Sequence, residues 1–323
     1  MKVADIQKVI KEELQKFGPY FREQMQSPVS TLSAVTNYVY RRKGKQLRPL
    51  IVFLSAKLNG TINERTYVGA TMVELLHSAT LMHDDVVDEA FERRGTFSVN
   101  ALWRSKTAVL AGDFLLSRGL LIALEKGSED LLKIISDAIR YMSEGELQQM
   151  EKAQVLDTSE DTYFDIINKK TASLIKSCAT IGAISVGASE EHVLQMSSFG
   201  HQLGVAFQLR DDVLDYHKSG LTGKTSGNDI KEKKITLPLI HALNQVNRKE
   251  QNRIVSLIQN AKNNPKNIGL VMNFVEEKGG IDYANKITND FCVHAKESLK
   301  EYPDSEVKTA LLSLVDYVKL REK

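Results

Sequence analysis

The sequence predicts an all-α fold: a single large helical bundle domain over residues 1–323, with a central cavity between its helices. Three observations predict it. Apolar residues recur at three- and four-residue intervals from end to end. No stretch alternates with the period of two that a half-buried strand requires. The six prolines, Pro19, Pro28, Pro49, Pro238, Pro265 and Pro303, stand where helices would start or stop. No Ser/Gly-rich linker divides the chain. Many apolar helices then imply layered packing around a central bundle, where ligand sites form between facing helices.

The elements follow in order. Residues 1–17, MKVADIQKVIKEELQKF, mix charge with apolar positions at helical spacing and lack the apolar core of a signal peptide. VSTLSAVTNYVYRR (29–42) is a second amphipathic helix, and GKQLRP (44–49) is a loop after the basic run 41–43. The long run RTYVGATMVELLHSATLMHDDVVDEA (65–90) is small and apolar, and it ends in Asp84, Asp85 and Asp88. The loop ERRGTFSVN (92–100) carries Arg93 and Arg94. SLIKSCATIGAISVGA (173–188) is the longest apolar candidate, but Lys176 interrupts it, so it reads as a buried helix. No run approaches the length of a bilayer span, and no transmembrane segment is expected. HKSGLTGKTSGND (217–229) and IQNAKNNPKN (258–267) have the strongest turn chemistry. EVKTALLSLVDYVKL (306–320) is a further amphipathic helix.

Composition narrows the function. The chain is 42% hydrophobic and 26% charged, as in soluble globular proteins. Its 43 basic and 41 acidic residues leave a formal charge of only +2, so no nucleic-acid partner is expected. Cys178 and Cys292 form no CxxC pair, which argues against a zinc or redox site. Cys178 lies in an apolar stretch and reads as a small core residue; the pattern suits a reducing compartment, and the expected location is cytoplasmic.

Two carboxylate clusters carry the chemistry. HDDVVD at 83–88 is echoed by RDDVLD at 210–215, each after an apolar helix and before a polar loop. Residues four apart share a helix face, so Asp84 and Asp88 point together, as do Asp211 and Asp215. Asp85 and Asp212 point about 100° aside. If the two helices face each other, four carboxylates line one cleft, a hard oxygen-rich site suited to Mg²⁺ with phosphate oxygens. The bland alternative is two solvated helix ends, but carboxylates at a helix C-terminus oppose its dipole. Arg93 and Arg94 offer bidentate bonds to phosphate. Lys45, Arg48, Lys169, Lys170, Lys224, Lys233 and Lys234 add cations whose meaning lies in convergence. His77 lies about two turns before Asp84, on nearly the same face. His83 is expected to be structural, since imidazole suits Mg²⁺ poorly.

These motifs together resemble the trans-isoprenyl diphosphate synthases, specifically polyprenyl diphosphate synthases of medium to long product length. The resemblance runs from GKQLRP (44–49) through DDxxD with its RRG, INKKTASL and QLRDDVLD, to KKITLPLI (233–240). It implies an isoprenoid synthase-like bundle and a Mg²⁺-dependent prenyl transfer, with three ions when substrate is bound. Asp84 and Asp88, supported by Asp85, and Asp211 and Asp215 are implied metal ligands. Lys45, Arg48, His77 and Arg94 match residues that bind isopentenyl diphosphate. Arg93, Lys170, Lys224 and Lys234 match residues on the allylic diphosphate. Lys170, Thr171 and Gln208 are the implied catalytic set, with Thr171 and Gln208 beside the reacting carbons. Relatives carry Gly where Lys233 stands, which leaves open which lysine of the pair reaches phosphate.

The resemblance also places a chain-length position five residues before the first aspartate, at Ala79, followed by Thr80. Leu76, Leu75 and Met72 continue back along the helix, about 10 Å from Ala79 to Met72. A small residue there is expected to open an apolar tunnel for a polyprenyl chain, a quinone side-chain precursor being the natural product. The implied partner is a second copy of the chain, with pairing to a smaller subunit as the alternative and transient membrane contact for product release. Rival readings are a geranylgeranyl-type short-chain synthase, a terpene cyclase or squalene-type synthase, and a non-catalytic subunit of a prenyltransferase complex. A di-iron bundle lacks its Glu-x-x-His ligands.

Overall fold

The computed structural model describes residues 3–42, 44–93, 95–217 and 227–321. The helices are α1 (Val3–Gln7), α2 (Lys11–Gln24), α3 (Ser30–Arg41), α4 (Leu47–Asn59), α5 (Glu64–Val87), α6 (Val99–Glu125), α7 (Glu129–Val155) and α8 (Glu160–Ile167). There follow α9 (Ser173–Ser185), α10 (Glu190–Asp215), α11 (Asn228–Lys231), α12 (Leu237–Asn244), α13 (Arg248–Gln259), α14 (Lys266–Glu277), α15 (Gly280–Glu297) and α16 (Glu306–Leu320). Among the described residues the only sheet is a hairpin of two-residue strands, β1 (Glu92–Arg93) and β2 (Thr96–Phe97), pairing Glu92 with Phe97. Here ERRGTFSVN turns tightly through Gly95, whose φ of 73° suits a residue without a Cβ.

The chain resolves into two compact units, each discontinuous in sequence. The first comprises residues 1–139, 177–197 and 303–311; the second comprises 140–176, 198–302 and 312–323. The sequence reading expects one domain over 1–323. Four of the five dividing points fall inside α7, α9, α10 and α16, and the fifth lies in the short connection between α15 and α16, so no linker composition announces them.

In the first unit α4 is apolar on every side, and residues Leu50 to Ala56 are all buried. Beside it, α5 starts at a capping box: Asn63 accepts from the Thr66 amide, and Thr66 reaches back to the Asn63 amide. The Thr66 hydroxyl also meets Ser185 at 2.9 Å, which ties the start of α5 to α9. α6 begins at Ser98, whose hydroxyl caps the Ala101 amide, and it breaks helical geometry at Arg104 (φ 67°, ψ 163°).

Two expectations are corrected here. Pro19 lies inside α2 rather than at a helix boundary. Its missing amide and ring clash cost about 3 kcal/mol in a helix interior. Phe17 and Phe21 offset this: both are buried, and they stack at 5.5 Å on the same helix. Second, one helix does reach bilayer-spanning length and hydropathy. α6 holds an 18-residue stretch of mean hydropathy 1.6, by length and composition only. It reads as apolar because two of its faces are. Ala108, Ala111, Leu115 and Ile122 are buried, whereas Val109, Leu110, Leu121 and Leu124 are exposed.

The second unit has its own core, in which Tyr163, Ile167, Val205, Leu209, Val213 and Tyr216 pack with α12, α14 and α15. Between α8 and α9 the chain makes a π-helical turn, Asn168–Ala172. Such turns disturb the regular ladder and are frequent at functional sites. Two glycines permit it. A Cβ at Gly145 of α7 would lie 2.8 Å from the Lys170 amide nitrogen, and one at Gly204 of α10 would lie 2.7 Å from Ala172 Cα. Any side chain at either position would push the turn away.

Both cysteines are free and buried, one in each unit. Burial pushes the Cys178 thiol up to about 12, with Arg48 pulling the other way, and pushes Cys292 up to about 11. At pH 8 the thiolate fraction of Cys292 is therefore about one in a thousand. Ellman's reagent should find no reactive thiol in the native chain at pH 8 and two after denaturation. Rapid labelling of the native chain would contradict this packing.

Candidate active site

The first aspartate motif occupies the end of α5. Asp84 lies in its last turn and is half-buried; Asp88 is the C-cap and is exposed, its amide bonding to the Asp84 carbonyl at 2.8 Å. Asp85 turns inward and is 4% exposed. It accepts from Arg93 Nε at 2.6 Å. Burial pushes the Asp85 carboxyl up, the Arg93 guanidinium draws it back, and Asp88 adds to the rise. The tight hairpin brings this arginine back over the motif. Bonding through Nε leaves the terminal guanidinium nitrogens pointing elsewhere. Arg94 and Lys224 lie outside the described residues, as does most of the loop 217–229.

His83 is turned toward α6. Its Nε2 is 3.3 Å from the Val109 carbonyl and 3.3 Å from Asp113, and its ring fills the space over Gly112, where a Cβ would approach to 2.3 Å. That position is structural packing. Of the residues matched to isopentenyl diphosphate, Lys45 is exposed in the loop before α4 and Arg48 is half-buried in its first turn. His77 is half-buried on α5, and its carbonyl accepts from the Thr80 hydroxyl at 3.0 Å. Ala79, Leu76, Leu75 and Met72 form a buried apolar run. Leu75 Cβ and the Met72 carbonyl face Gly119 of α6, each within 4 Å of where its Cβ would stand.

The second motif ends α10, in the second unit. There the structure brings together Lys170, Thr171, Gln208, Asp212 and Lys234, all lining a cavity of about 80 Å³. That volume holds a few waters, so the cavity is a polar recess rather than a lipid channel. Lys170 reaches it from the π turn; its Nζ donates to Gln149 Oε1 at 2.7 Å and pairs with Glu146. Lys234 lines the recess and pairs with Glu232 at 2.5 Å. Lys233, at φ 62°, does not line it. Lys169 is turned aside into a 2.6 Å pair with Asp165.

Three residues of this site escape motif reading. Tyr163, in the first turn of α8, donates to Asp212 Oδ2 at 2.5 Å. Helical spacing does not mark it, since eight residues before Thr171 is about 80° past two full turns. Asp229 lines the same recess, and its amide and that of Asn228 donate to the two oxygens of Asp215, at 2.9 and 3.1 Å. Asp215 therefore caps α11. Arg321 pairs with Asp211, lies over the Phe207 ring, and is held by Arg210, which donates to its carbonyl at 2.9 and 3.0 Å. Nothing in the local sequence marks Arg321.

Electrostatics favour a cation at these carboxylates. Burial pushes Asp212 and Asp229 up, and the neighbouring Asp211 and Asp215 push Asp212 further. Among the described residues, no three His, Cys, Asp or Glu side chains converge closely enough to hold a metal by themselves. The donors are all hard carboxylate oxygens. They fit Mg²⁺, which takes one or two carboxylates and completes its octahedron with water and phosphate oxygens.

Known proteins are similar to this chain over nearly its whole length. Residues 29–275 match the Polyprenyl synthetase family. The chain is 35% identical over 315 residues to an octaprenyl diphosphate synthase of Haemophilus influenzae, covering 97% of this chain and 95% of that protein. Among solved structures it is similar to a decaprenyl diphosphate synthase of Rhodobacter capsulatus, with TM-score 0.92, 32% identity and 100% of both chains covered. It is also similar to a polyprenyl synthase of Caulobacter crescentus complexed with calcium and isoprenyl diphosphate. That likeness has TM-score 0.91 and 30% identity, and covers 100% of this chain and 98% of that one.

Proposed function

The chain belongs to the polyprenyl synthetase family, and from that premise we propose that it condenses isopentenyl diphosphate with an allylic prenyl diphosphate. The product is an all-trans polyprenyl diphosphate of medium to long chain, and diphosphate is released. The observation that carries the reading is the recess that Lys170 and Lys234 line together with Thr171, Gln208 and Asp212. It sets two lysines and the side-chain oxygens of Thr171 and Gln208 around one recess, as ionisation of an allylic diphosphate requires.

The bonds balance as follows. The allylic C–O bond breaks, and its electron pair leaves with diphosphate. The double bond of isopentenyl diphosphate attacks the allylic carbon, forming one carbon–carbon bond. A proton is then lost, and the released diphosphate is the base at hand. Lys170 and Lys234 hold the departing charge, and preorganised cations of this kind are effective in a dry site. Lys45, Arg48 and His77 hold the second diphosphate. Asp84, Asp88, Asp211 and Asp215 would hold Mg²⁺, three ions with substrate bound, and the metal would supply charge neutralisation of the leaving group. Thr171 and Gln208 line the recess with oxygen, which steadies the cation without trapping it covalently.

We propose a homodimer. The support is the exposed apolar face of α6, Val109, Leu110, Leu121 and Leu124, which a second copy would cover. Light scattering should return twice the chain mass of 36.2 kDa; a monomer would exclude the pairing.

The functional test is diphosphate release. With Mg²⁺, release should require both isopentenyl diphosphate and an allylic diphosphate. Release from the allylic substrate alone would instead indicate a cyclase or hydrolase.

A further inference from the structure

Asp212 is 5% exposed and Tyr163 is 3% exposed. Asp212 receives two hydrogen bonds in the recess wall: the Tyr163 hydroxyl on Oδ2 at 2.5 Å and Gln208 Nε2 on Oδ1 at 2.6 Å. On the other side of the same amide, Gln208 Oε1 accepts from the Thr171 hydroxyl at 2.7 Å. All four residues line the recess. The direction of this chain is dictated by donor and acceptor inventory. Asp212 accepts from Tyr163 on one oxygen and from the Gln208 NH₂ on the other, so Gln208 turns its oxygen to Thr171. Thr171 then spends its single proton on Gln208, and its remaining lone pairs are free for the recess. The chain starts at a phenol, which has one proton to give, and ends at two oxygens with lone pairs to spare.

We infer that Tyr163 is a positioning residue of the condensation: acting through Asp212, its hydroxyl locks the Gln208 amide so that the oxygens of Gln208 and Thr171 face the allylic carbon. The inference rests on the prenyl-transfer reading above. Without the hydroxyl, Asp212 Oδ2 is left buried with an unmet acceptor. The carboxylate then rotates or recruits the amide on both oxygens, and the orientation of Gln208 is lost. Tyr163 touches neither substrate in this account, so binding should be spared.

The test is a double-mutant cycle in the full chain, with farnesyl diphosphate as primer. Tyr163→Phe should lower kcat by roughly 10- to 100-fold, the scale of one charge-assisted hydrogen bond. The KM values for both diphosphates should stay within about threefold of wild type. Gln208→Ala should lose a similar factor. Tyr163→Phe should cost nothing further in the Gln208→Ala background, because coupled residues are non-additive. A Tyr163→Phe kcat within about twofold of wild type overturns the inference. So does the same loss in both backgrounds, which would make the tyrosine merely structural. Should the phenylalanine variant fail to fold by circular dichroism, Asp212→Asn enters the same cycle with the same criterion of non-additivity. A wild-type chain that releases no diphosphate from the two substrates sinks the prenyl-transfer reading first, and the inference with it.

Discussion

Asp84→Ala should lower turnover by roughly 10²- to 10⁴-fold, the scale at which enzymes depend on single groups that stabilise developing charge. The fold should survive it. Asp84 lies in the last turn of α5, where the helix dipole disfavours a carboxylate, so its removal is neutral or slightly favourable for the helix. The melting temperature should therefore hold or rise while activity collapses. Asp211→Ala should show the same loss of turnover with a different stability signature. Its partner Arg321 has a side chain only 8% exposed, and a buried guanidinium left without its acceptor costs about 1–3 kcal/mol. Steady-state rates alongside thermal melts check both. Near-normal turnover in a folded Asp84→Ala chain would remove that carboxylate from the chemistry.

Ala79→Tyr should shorten the product to short prenyl diphosphates while turnover persists. Ala79 is 1% exposed on α5, in a run with Leu76, Leu75 and Met72 that carries no charge. It lies five residues, about 7.5 Å of helix, before Asp84. A phenol at that distance from Asp84 would block a lengthening chain after few additions without touching a diphosphate. The same ring placed in a merely packed helix contact would overfill the core and cost about 1–3 kcal/mol with no change of product. Chromatography of dephosphorylated lipids separates the two outcomes. Unchanged chain length would reject the tunnel.

The helical class was legible because it depends on local pattern. α5 and α10 show their apolar periodicity and their acidic ends in the sequence, and both helices end within a residue of where the motifs suggest. The family resemblance carried by GKQLRP, the two aspartate motifs and KKITLPLI is matched by the family found over residues 29–275. What was not legible depends on contacts far apart in the chain. The π turn at Asn168–Ala172 exists because Gly145 and Gly204, on two other helices, leave room for it. Arg321 meets Asp211 across 110 residues. Pro19 reads as a boundary because its local cost is visible, whereas the burial of Phe17 and Phe21 that offsets it is not. Tyr163 and Asp229 belong to no motif, and their roles emerge only beside Asp212 and Asp215.

One measurement bears most directly on the account: the length distribution of lipids made by the purified chain alone from isopentenyl diphosphate and an allylic primer, with Mg²⁺ and with a chelator. The account predicts all-trans polyprenyl diphosphates longer than geranylgeranyl with the metal, and none with the chelator. Products that stop at geranylgeranyl, or elongation that proceeds unchanged in the chelator, would contradict it.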